Sequence, residues 1–404
     1  MNNKVRVCHI WPSFFPIEFG GVERYILGLS DFLSQHDQSM HFLMITDKAA
    51  YVPFLRALRI SRCQKINSLE VHRLGPNFSS SLGSASYRLF HRSSKFLDNM
   101  LASSLYREAL SVKGIEKVDV FHVHGFWKPL YPKIGLLLSQ HFHRPLVINL
   151  HGDSVDPNDP YSMPIRSPAT LDVLRQADVI STFSMETLSI LQELGLGKKS
   201  RLIPNFVDTR LFNRPELSSG GSGTKLVMVS RLSKPKDPMT PIRAFAQVRK
   251  EVPEATFKIV GYGPLYQEAN QLVQDLNLEE AVTFVGMKSD VRKFLWDSDI
   301  FIGTRGSYIT TLEAWAAGLA VVAPDFGIMK EIVSNHENGL LAEPGNADQL
   351  ASELISLIRN KQLRMMIATN GLRASEKHDI RNVAPSVANI YKGAIVTHVD
   401  PVSM

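Results

Sequence analysis

Several clusters in this chain have the residue types and spacing to handle a phosphorylated, hydroxyl-rich ligand. Arg231 and Lys236 stand five apart in Val229-Ser-Arg-Leu-Ser-Lys-Pro-Lys-Asp, just past an apolar run. Two cations beside a helix start suit a diphosphate, because backbone amides and the helix dipole add to their charge. Alone, the pair is equally a solvated one. Val260-Gly-Tyr-Gly-Pro follows the next run. Gly261 and Gly263 permit close approach of backbone to a ligand, or simply a strand-to-helix turn. Glu313 is the one acid in Ile309-Thr-Thr-Leu-Glu-Ala-Trp-Ala-Ala-Gly. A carboxylate can accept both hydroxyls of a ribose; a surface glutamate is the usual alternative, and the apolar surround argues against it.

Histidines mark the first half. His122 and His124 lie two apart in Asp119-Val-Phe-His-Val-His-Gly, so on a strand they share a side. They form either a packed or solvent-facing pair or two metal ligands, and no third ligand at sensible spacing accompanies them. His151-Gly-Asp153 ends the next apolar run and faces the same sheet edge, because loops after parallel strands share one side. Phe19-Gly20-Gly21-Val22-Glu23-Arg24 opens a helix, where paired glycines let a ligand reach the backbone.

The elements that must position these groups are legible as short apolar runs bounded by turn residues. Strands are expected at Val5–Ile10, His41–Thr46, Ser68–Leu74, Val118–His122, Leu146–Leu150, Val179–Thr182 and Ser200–Ile203. A second series comprises Lys225–Val229, Thr256–Val260, Ala281–Val285, Ile300–Gly303 and Leu319–Ala323. Helical segments alternate with them, which points to parallel sheets with crossover helices. Between the series, residues 213–224 read NRPELSSGGSGT, a linker by composition. Residues 350–395 read as helical.

Bulk properties narrow the class. The 404 residues, 44% hydrophobic and 21% charged, suit an α/β protein of two or three domains. Cys8 and Cys63 are the only cysteines, which suggests neither a disulfide framework nor a zinc site and fits a reducing cytoplasm. The N-terminus lacks a long apolar signal core, and no run of about 18 apolar residues suggests a spanning helix. The net charge of +6 is uneven: 24 Lys+Arg and 18 Asp+Glu fall up to Phe212, leaving 21 of each beyond it. The excess is either an anion-facing surface or scattered solvated charge.

The segment Gly303 to Gly345, together with the motifs above, resembles glycosyltransferase family 4, a group of retaining enzymes with the GT-B fold. Its relatives read close to E-G-F-G-L-x-x-L-E-A-M-A-x-G-x-P-V-V-A where this chain has Arg305-Gly306-Ser307-Tyr308-Ile309 through Glu313 to Ala323. The resemblance covers nearly the whole chain and is weakest between Lys48 and Lys117. It implies two doubly wound Rossmann-like domains facing each other across a cleft: residues 1–212 for the acceptor and 225–375 for the nucleotide-sugar donor. Residues 376–404 would form a helical segment packing back on the first domain.

The resemblance also assigns roles. Arg231, Lys236, Gly20 and Gly21 would grip the diphosphate, Gly261 and Gly263 would line its turn, and Glu313 would hold the ribose. The segment at Met287 would contact the nucleobase through backbone, and Arg305 to Ile309 would lie along the donor. His124 would be the active-site histidine, His122 a structural one, and His151 and Asp153 would face the acceptor side. Ile203-Pro-Asn-Phe-Val-Asp208 matches the family's I-P-N-G-V-D with Phe206 for glycine. The implied activity is transfer of a sugar to a hydroxyl of a glycan or lipid-linked glycolipid, with no bound metal, no further cofactor and no nucleic-acid partner. A degenerate member kept as a scaffold, or a nucleotide-sugar epimerase, are the other readings.

Two departures stand out. Arg305 occupies the place of an expected acid; it would pair with the diphosphate, with a carboxylate on an acidic sugar, or turn away. Asp325-Phe-Gly-Ile has Ile328 where a second glycine is usual. Between Lys48 and Lys117 lie Arg56, Arg59, Arg62, Lys65, Arg73, Arg88, Arg92 and Lys95, with Phe78, Leu82, Tyr87, Leu89, Phe90 and Phe96 among them. This is either a surface for anionic lipid at the inner face of a membrane or an ordinary helix pair with solvated arginines.

Overall fold

A computed structural model describes residues 4–12, 14, 20–37, 39–47, 61–74, 95–125, 130–152, 155, 159–160, 163–215 and 224–399. The chain forms two compact units. One comprises Met1–Pro204 with Val383–Met404, the other Asn205–Asn382.

In the first unit the apolar runs become β1 (Val5–Ile10), β2 (Met40–Asp47), β4 (Leu69–Leu74), β5 (Val120–His124), β6 (Leu146–Leu150), β7 (Val179–Thr182) and β8 (Ser200–Leu202), and a strand that the pattern does not indicate, β3 (Cys63–Ile66), precedes β4. Their order across the sheet is β3-β4-β2-β1-β5-β6-β7-β8. All neighbours are parallel except the β3–β4 hairpin. The chain builds outward from β1 in one direction, then crosses to β5 and builds in the other. The β1/β5 boundary is therefore the point where doubly wound sheets open a crevice beyond their strand ends.

β5 begins two residues later than the expected Val118. The Val118 amide closes a tight turn on the Ile115 carbonyl at 3.2 Å, and the Asp119 carboxylate is drawn to the Arg6 amide at 2.9 Å. His124 consequently ends the strand instead of following it. Period-two alternation then sorts the two faces. Cys8, Ile10, Phe121, Val123, Leu146 and Ile148 pack into an apolar core with the helix Leu130–Phe142. The other face carries His9, His122, His124 and Asn149, all buried.

The second unit holds β9 (Lys225–Val229), β10 (Thr256–Val260), β11 (Val282–Gly286), β12 (Ile300–Ile302), β13 (Ala320–Pro324) and β14 (Leu340–Ala342), all parallel, in the order β11-β10-β9-β12-β13-β14. Its switch point falls between β9 and β12. β14 lacks a strand signature of its own, only three residues after a turn, and forms because β13 offers an open edge. β13 starts at Ala320 instead of Leu319, whose amide still bonds the carbonyl of Ala314 at the preceding helix end, 3.0 Å away. The core is mostly aliphatic, with the Phe245 and Phe257 rings tilted against each other at 5.3 Å.

The closing helix Ile380–Val399 belongs, from Val383 on, to the first unit. Tyr391 bonds His122 at 2.8 Å, Lys392 pairs with Asp37 at 2.8 Å, and His398 meets Asp178 at 2.9 Å. Pro385 lies inside it, at the sixth residue and past the first turn, so the helix forgoes one backbone hydrogen bond there. Among the described residues, no helix is long and apolar enough to cross a membrane.

Candidate active site

In the second unit the cationic loop and the Gly-rich turns converge at the switch point. After β9 the chain passes through exposed Arg231 and a short 3-10 turn, Lys234–Lys236. Asp237 then takes a left-handed conformation, φ 43°, and launches the helix Met239–Glu251. After β12 comes Thr304-Arg305-Gly306, with Gly306 at φ 61°, and then Ser307, which opens the helix Tyr308–Ala316. Two bonds tie these loops together. The Ser230 and Thr304 hydroxyls meet at 3.0 Å. The Lys236 ammonium donates to the Arg305 carbonyl at 2.5 Å. The crossing between β9 and β12 is thereby closed by a cation and two hydroxyls at the strand ends.

Gly261 and Gly263 are required by contact with this same loop. A Cβ on Gly261 would sit 1.8 Å from the Ser230 carbonyl oxygen, and one on Gly263 would sit 2.2 Å from that of Leu232. The turn packs against the cationic loop so closely that backbone meets backbone. Beyond it, Tyr262 and Met287 are exposed, each at 57%. They flank the Gly261–Gly286 bridge and put apolar surface at the ends of β10 and β11.

Glu313 is buried, 3% exposed, in a helix whose every residue but Ile309 is buried. Carboxylates at that depth are kept where they are paired. Ser307 and Tyr308 are buried too, while Arg305 and Ile309 are half-buried. The Arg305 guanidinium lies over the Phe326 ring, 4.3 Å from its centroid. The arginine that stands at the expected acid's place is thus carried on an aromatic ring two residues before Ile328, the other departure. Ile328 is buried at 1% and packs inward.

In the first unit the histidines share one sheet face. β1 and β5 pair with His9 opposite His122, and β5 and β6 pair with His124 opposite Asn149. His9 Nδ1 meets His124 Nε2 at 2.9 Å, and His124 Nδ1 meets His151 Nε2 at 3.0 Å. His122 Nδ1 meets the Tyr391 hydroxyl at 2.8 Å. Phe42 stacks on His9 at 5.4 Å, and Tyr25 stands edge-on to His151 at 5.1 Å. Burial drives His9 down to about 3 and His151 to about 3, and holds His122 and His124 well below the ordinary imidazole range. Neighbouring imidazoles add to the depression at His122 and His124. The row is therefore neutral at physiological pH.

The expectation that His122 and His124 lack a third partner is overturned. His9 comes from 113 residues upstream of His122 and places a third imidazole beside them, with one ring nitrogen of each within 4.8 Å of the others. Its signal in sequence was a polar ring in the middle of the apolar strand Val-Arg-Val-Cys-His-Ile. The Gly20 amide donates to Glu23 at 2.8 Å, and Trp11 donates to the same carboxylate at 2.7 Å. Glu23 therefore occupies part of the helix start that the paired glycines expose. Asp153 and Phe19 lie outside the described residues.

The basic segment is only partly described. Arg73, read as part of either a lipid-facing surface or a helix pair with solvated arginines, is instead buried at 2% on a strand, donating to the Ser61 carbonyl at 3.0 Å and to Gln64 at 3.3 Å. It cannot serve a lipid-facing patch. Arg56, Arg59, Arg88 and Arg92 and the apolar residues from Phe78 to Phe90 lie outside the described residues.

Family profiles complete the assignment. "Glycosyltransferase Family 4" matches residues 19–211, and "Glycosyl transferases group 1" matches residues 210–374. The chain belongs to glycosyltransferase family 4. Among curated relatives of this glycosyltransferase is N-acetyl-alpha-D-glucosaminyl L-malate synthase of Bacillus anthracis, 25% identical over 61% of the chain and 67% of that protein. Phosphatidyl-myo-inositol mannosyltransferase of Mycolicibacterium smegmatis is 24% identical over 68% and 71%. The fold is GT-B. Sucrose-phosphate synthase of Thermosynechococcus elongatus superposes with TM-score 0.74 at 18% identity, covering 97% of this chain and all of that one. HepE of Anabaena, solved with UDP and glucose, superposes with TM-score 0.69 at 21% identity, covering 96% and 99%.

Proposed function

We propose that this glycosyltransferase is a retaining, metal-independent enzyme that passes a sugar from a nucleoside diphosphate donor to a hydroxyl of a glycan or lipid-linked acceptor. The observation that carries the donor side is the closed switch point, where Lys236 is fastened to the Arg305 turn beside Arg231. A diphosphate seated there would meet two cations and a helix start. As the sugar C1–oxygen bond breaks, negative charge grows on the diphosphate and an oxocarbenium character grows on the sugar. Arg231 and Lys236 stabilise the first of these. The acceptor oxygen then bonds C1 on the face the diphosphate leaves, and its proton passes to the departing phosphate oxygen. Glu313 is read as the ribose acceptor, and Tyr262 with Met287 as apolar cover for the base. His124, His151 and Asp153 are read as the sugar and acceptor side in the first unit. The UDP complexes of HepE make UDP the first nucleotide to test.

A screen of UDP, GDP, ADP and dTDP by thermal shift identifies the base, since a ligand at about 100 times its dissociation constant adds about 2.7 kcal/mol. Arg231→Ala and Lys236→Ala should each weaken the selected diphosphate by about 1.5–3 kcal/mol, the worth of a charge-assisted contact. Lys236→Ala should do so more, because it also frees the Arg305 turn. Calorimetry showing unchanged affinity in both variants would remove the phosphate assignment.

Arg305→Glu restores the family's acid and should nonetheless lower turnover at least tenfold, about 1.4 kcal/mol of transition-state stabilisation. A glutamate would leave the Phe326 face and bring negative charge towards the diphosphate. Turnover equal to the parent would show that Arg305 has no part in the donor site. This arrangement also weighs against a decayed scaffold, because Arg305 is held in place and not merely tolerated.

A further inference from the structure

The imidazole row poses a problem for any direct contact between His124 and a substrate. His124 is 1% exposed, and both of its ring nitrogens are already engaged, one by His9 and one by His151. His151 is half-buried and spends only Nε2 on His124; Nδ1 has no hydrogen-bond partner among the described residues. At the other end His9 is fully buried, and its Nε2 has no partner among the described residues. The row therefore has a closed end and an open end.

A neutral imidazole carries one proton, and each of the two links needs one. Only two arrangements satisfy both. In one, every ring is protonated at Nδ1: His9 donates to His124, His124 donates to His151, and His151 turns an N–H outward. In the other, every ring is protonated at Nε2, the links reverse, and His9 is left with an N–H enclosed without a partner. An orphaned buried N–H is the rarer and costlier of the two vacancies. The first arrangement leaves only a lone pair at His9 Nε2, and its spare donor points to the accessible end.

We infer that His151, acting as a neutral Nδ1–H donor, is the imidazole that touches an oxygen of the sugar or acceptor, and that His124 and His9 are positioning residues that lock its tautomer from behind. This rests on the transfer reading above and replaces His124 by His151 as the contact. His122 stands outside the chain: its Nδ1 is taken by Tyr391, and neither of its nitrogens is bonded to His9 or His124 among the described residues. The other rings against the row among the described residues are Tyr25, Phe42 and Phe183, and the Tyr25 hydroxyl is engaged by Asn149. None of these competes for the links.

The test is the imidazole 15N spectrum of the full-length protein labelled at histidine, read at pH 7.5 with assignment by single substitution. It needs no turnover, so it stands even if no donor is found. The three rings should all report the Nδ1–H tautomer. His9→Phe, which keeps a flat ring and removes the link, should release His151 to a mixed tautomer and lower kcat about tenfold with donor KM unchanged. His9→Asn, whose amide can donate to His124 Nε2, should restore both readouts towards the parent and covers the case where His9→Phe does not fold. His151→Ala should lower kcat at least a hundredfold. An Nε2–H signal at His151 in the parent, or a His151 signal indifferent to both His9 substitutions, overturns the inference. A parent protein that shows the shared tautomer yet transfers no sugar would instead count against the transfer reading alone.

Discussion

Lowering the pH from 6.5 to 5.5 should cost this protein about 3 kcal/mol of folding stability, a large part of the 5–15 kcal/mol a domain typically has. His9, His122 and His124 are buried and stay neutral in the folded unit, with His9 down at about 3. In the unfolded chain each takes up a proton below its ordinary value near 6.5. The unfolded state then binds more protons, so stability falls as pH falls, by about 1 kcal/mol for each ring between 6.5 and 5.5 and towards about 1.4 kcal/mol per pH unit below that. The loss begins near 6.5 and continues towards about 3, where His9 itself would charge in the folded state. Ordinary carboxylates hardly titrate in the upper part of that window. Urea unfolding at pH 7.5, 6.5 and 5.5 reads the effect directly. Equal midpoints at 7.5 and 5.5 would mean that the row is hydrated or charged in solution. His122→Phe should remove about a third of the slope.

Gly261→Ala should be the most damaging single methyl in the second unit. The new Cβ would lie 1.8 Å from the Ser230 carbonyl, and the backbone φ of 149° is itself one that alanine avoids. Ser230 cannot retreat, because its amide is bonded to the Val260 carbonyl at 3.0 Å, and Leu232 beside it is held by Tyr262 at 3.3 Å and Leu265 at 3.0 Å. Overpacking that only backbone movement can relieve should cost about 3 kcal/mol or more, and the displaced loop is the one that carries Arg231. Gly318→Ala is the matched control. Its φ is also positive, 75°, yet nothing lies within 4 Å of the added carbon, so only about 1–2 kcal/mol of left-handed strain applies. If urea denaturation and nucleotide calorimetry give the two variants equal effects, the packing of the glycine turn on the cationic loop is not what stabilises the site.

Much of this was legible in sequence because parallel strands buried on both faces read as continuous apolar runs. Lys225–Val229 and Thr256–Val260 have the bounds the pattern indicates. What stayed hidden depends on register and on distance along the chain. His9 becomes a neighbour of His124 only because β1 pairs with β5, across 115 residues. Tyr391 reaches His122 across 269. The hairpin partner β3 has no apolar face to betray it: Cys63, Gln64 and Lys65 are all exposed. Arg73 reads as surface charge and is buried, because its head finds Ser61 and Gln64 across that hairpin. The seat of Arg305 on Phe326 is likewise hidden from local pattern, because 21 residues separate them.

The return of the chain to its first unit has a consequence for how the protein is made. Pro204 and Val383 bound the excursion, so 178 residues, 205–382, must be translated before the first unit can receive its last helix. At about 5–20 residues per second that is a delay of roughly 10–35 s. During it β1 and β5 can pair, but His122 has no tyrosine and Asp37 no lysine. The second unit, continuous in sequence, can finish while the first waits with its imidazole face open. A nascent chain arrested before residue 383 should therefore bind holdase chaperones through its N-terminal half, and docking of the segment from Val383 on is the event that seals it.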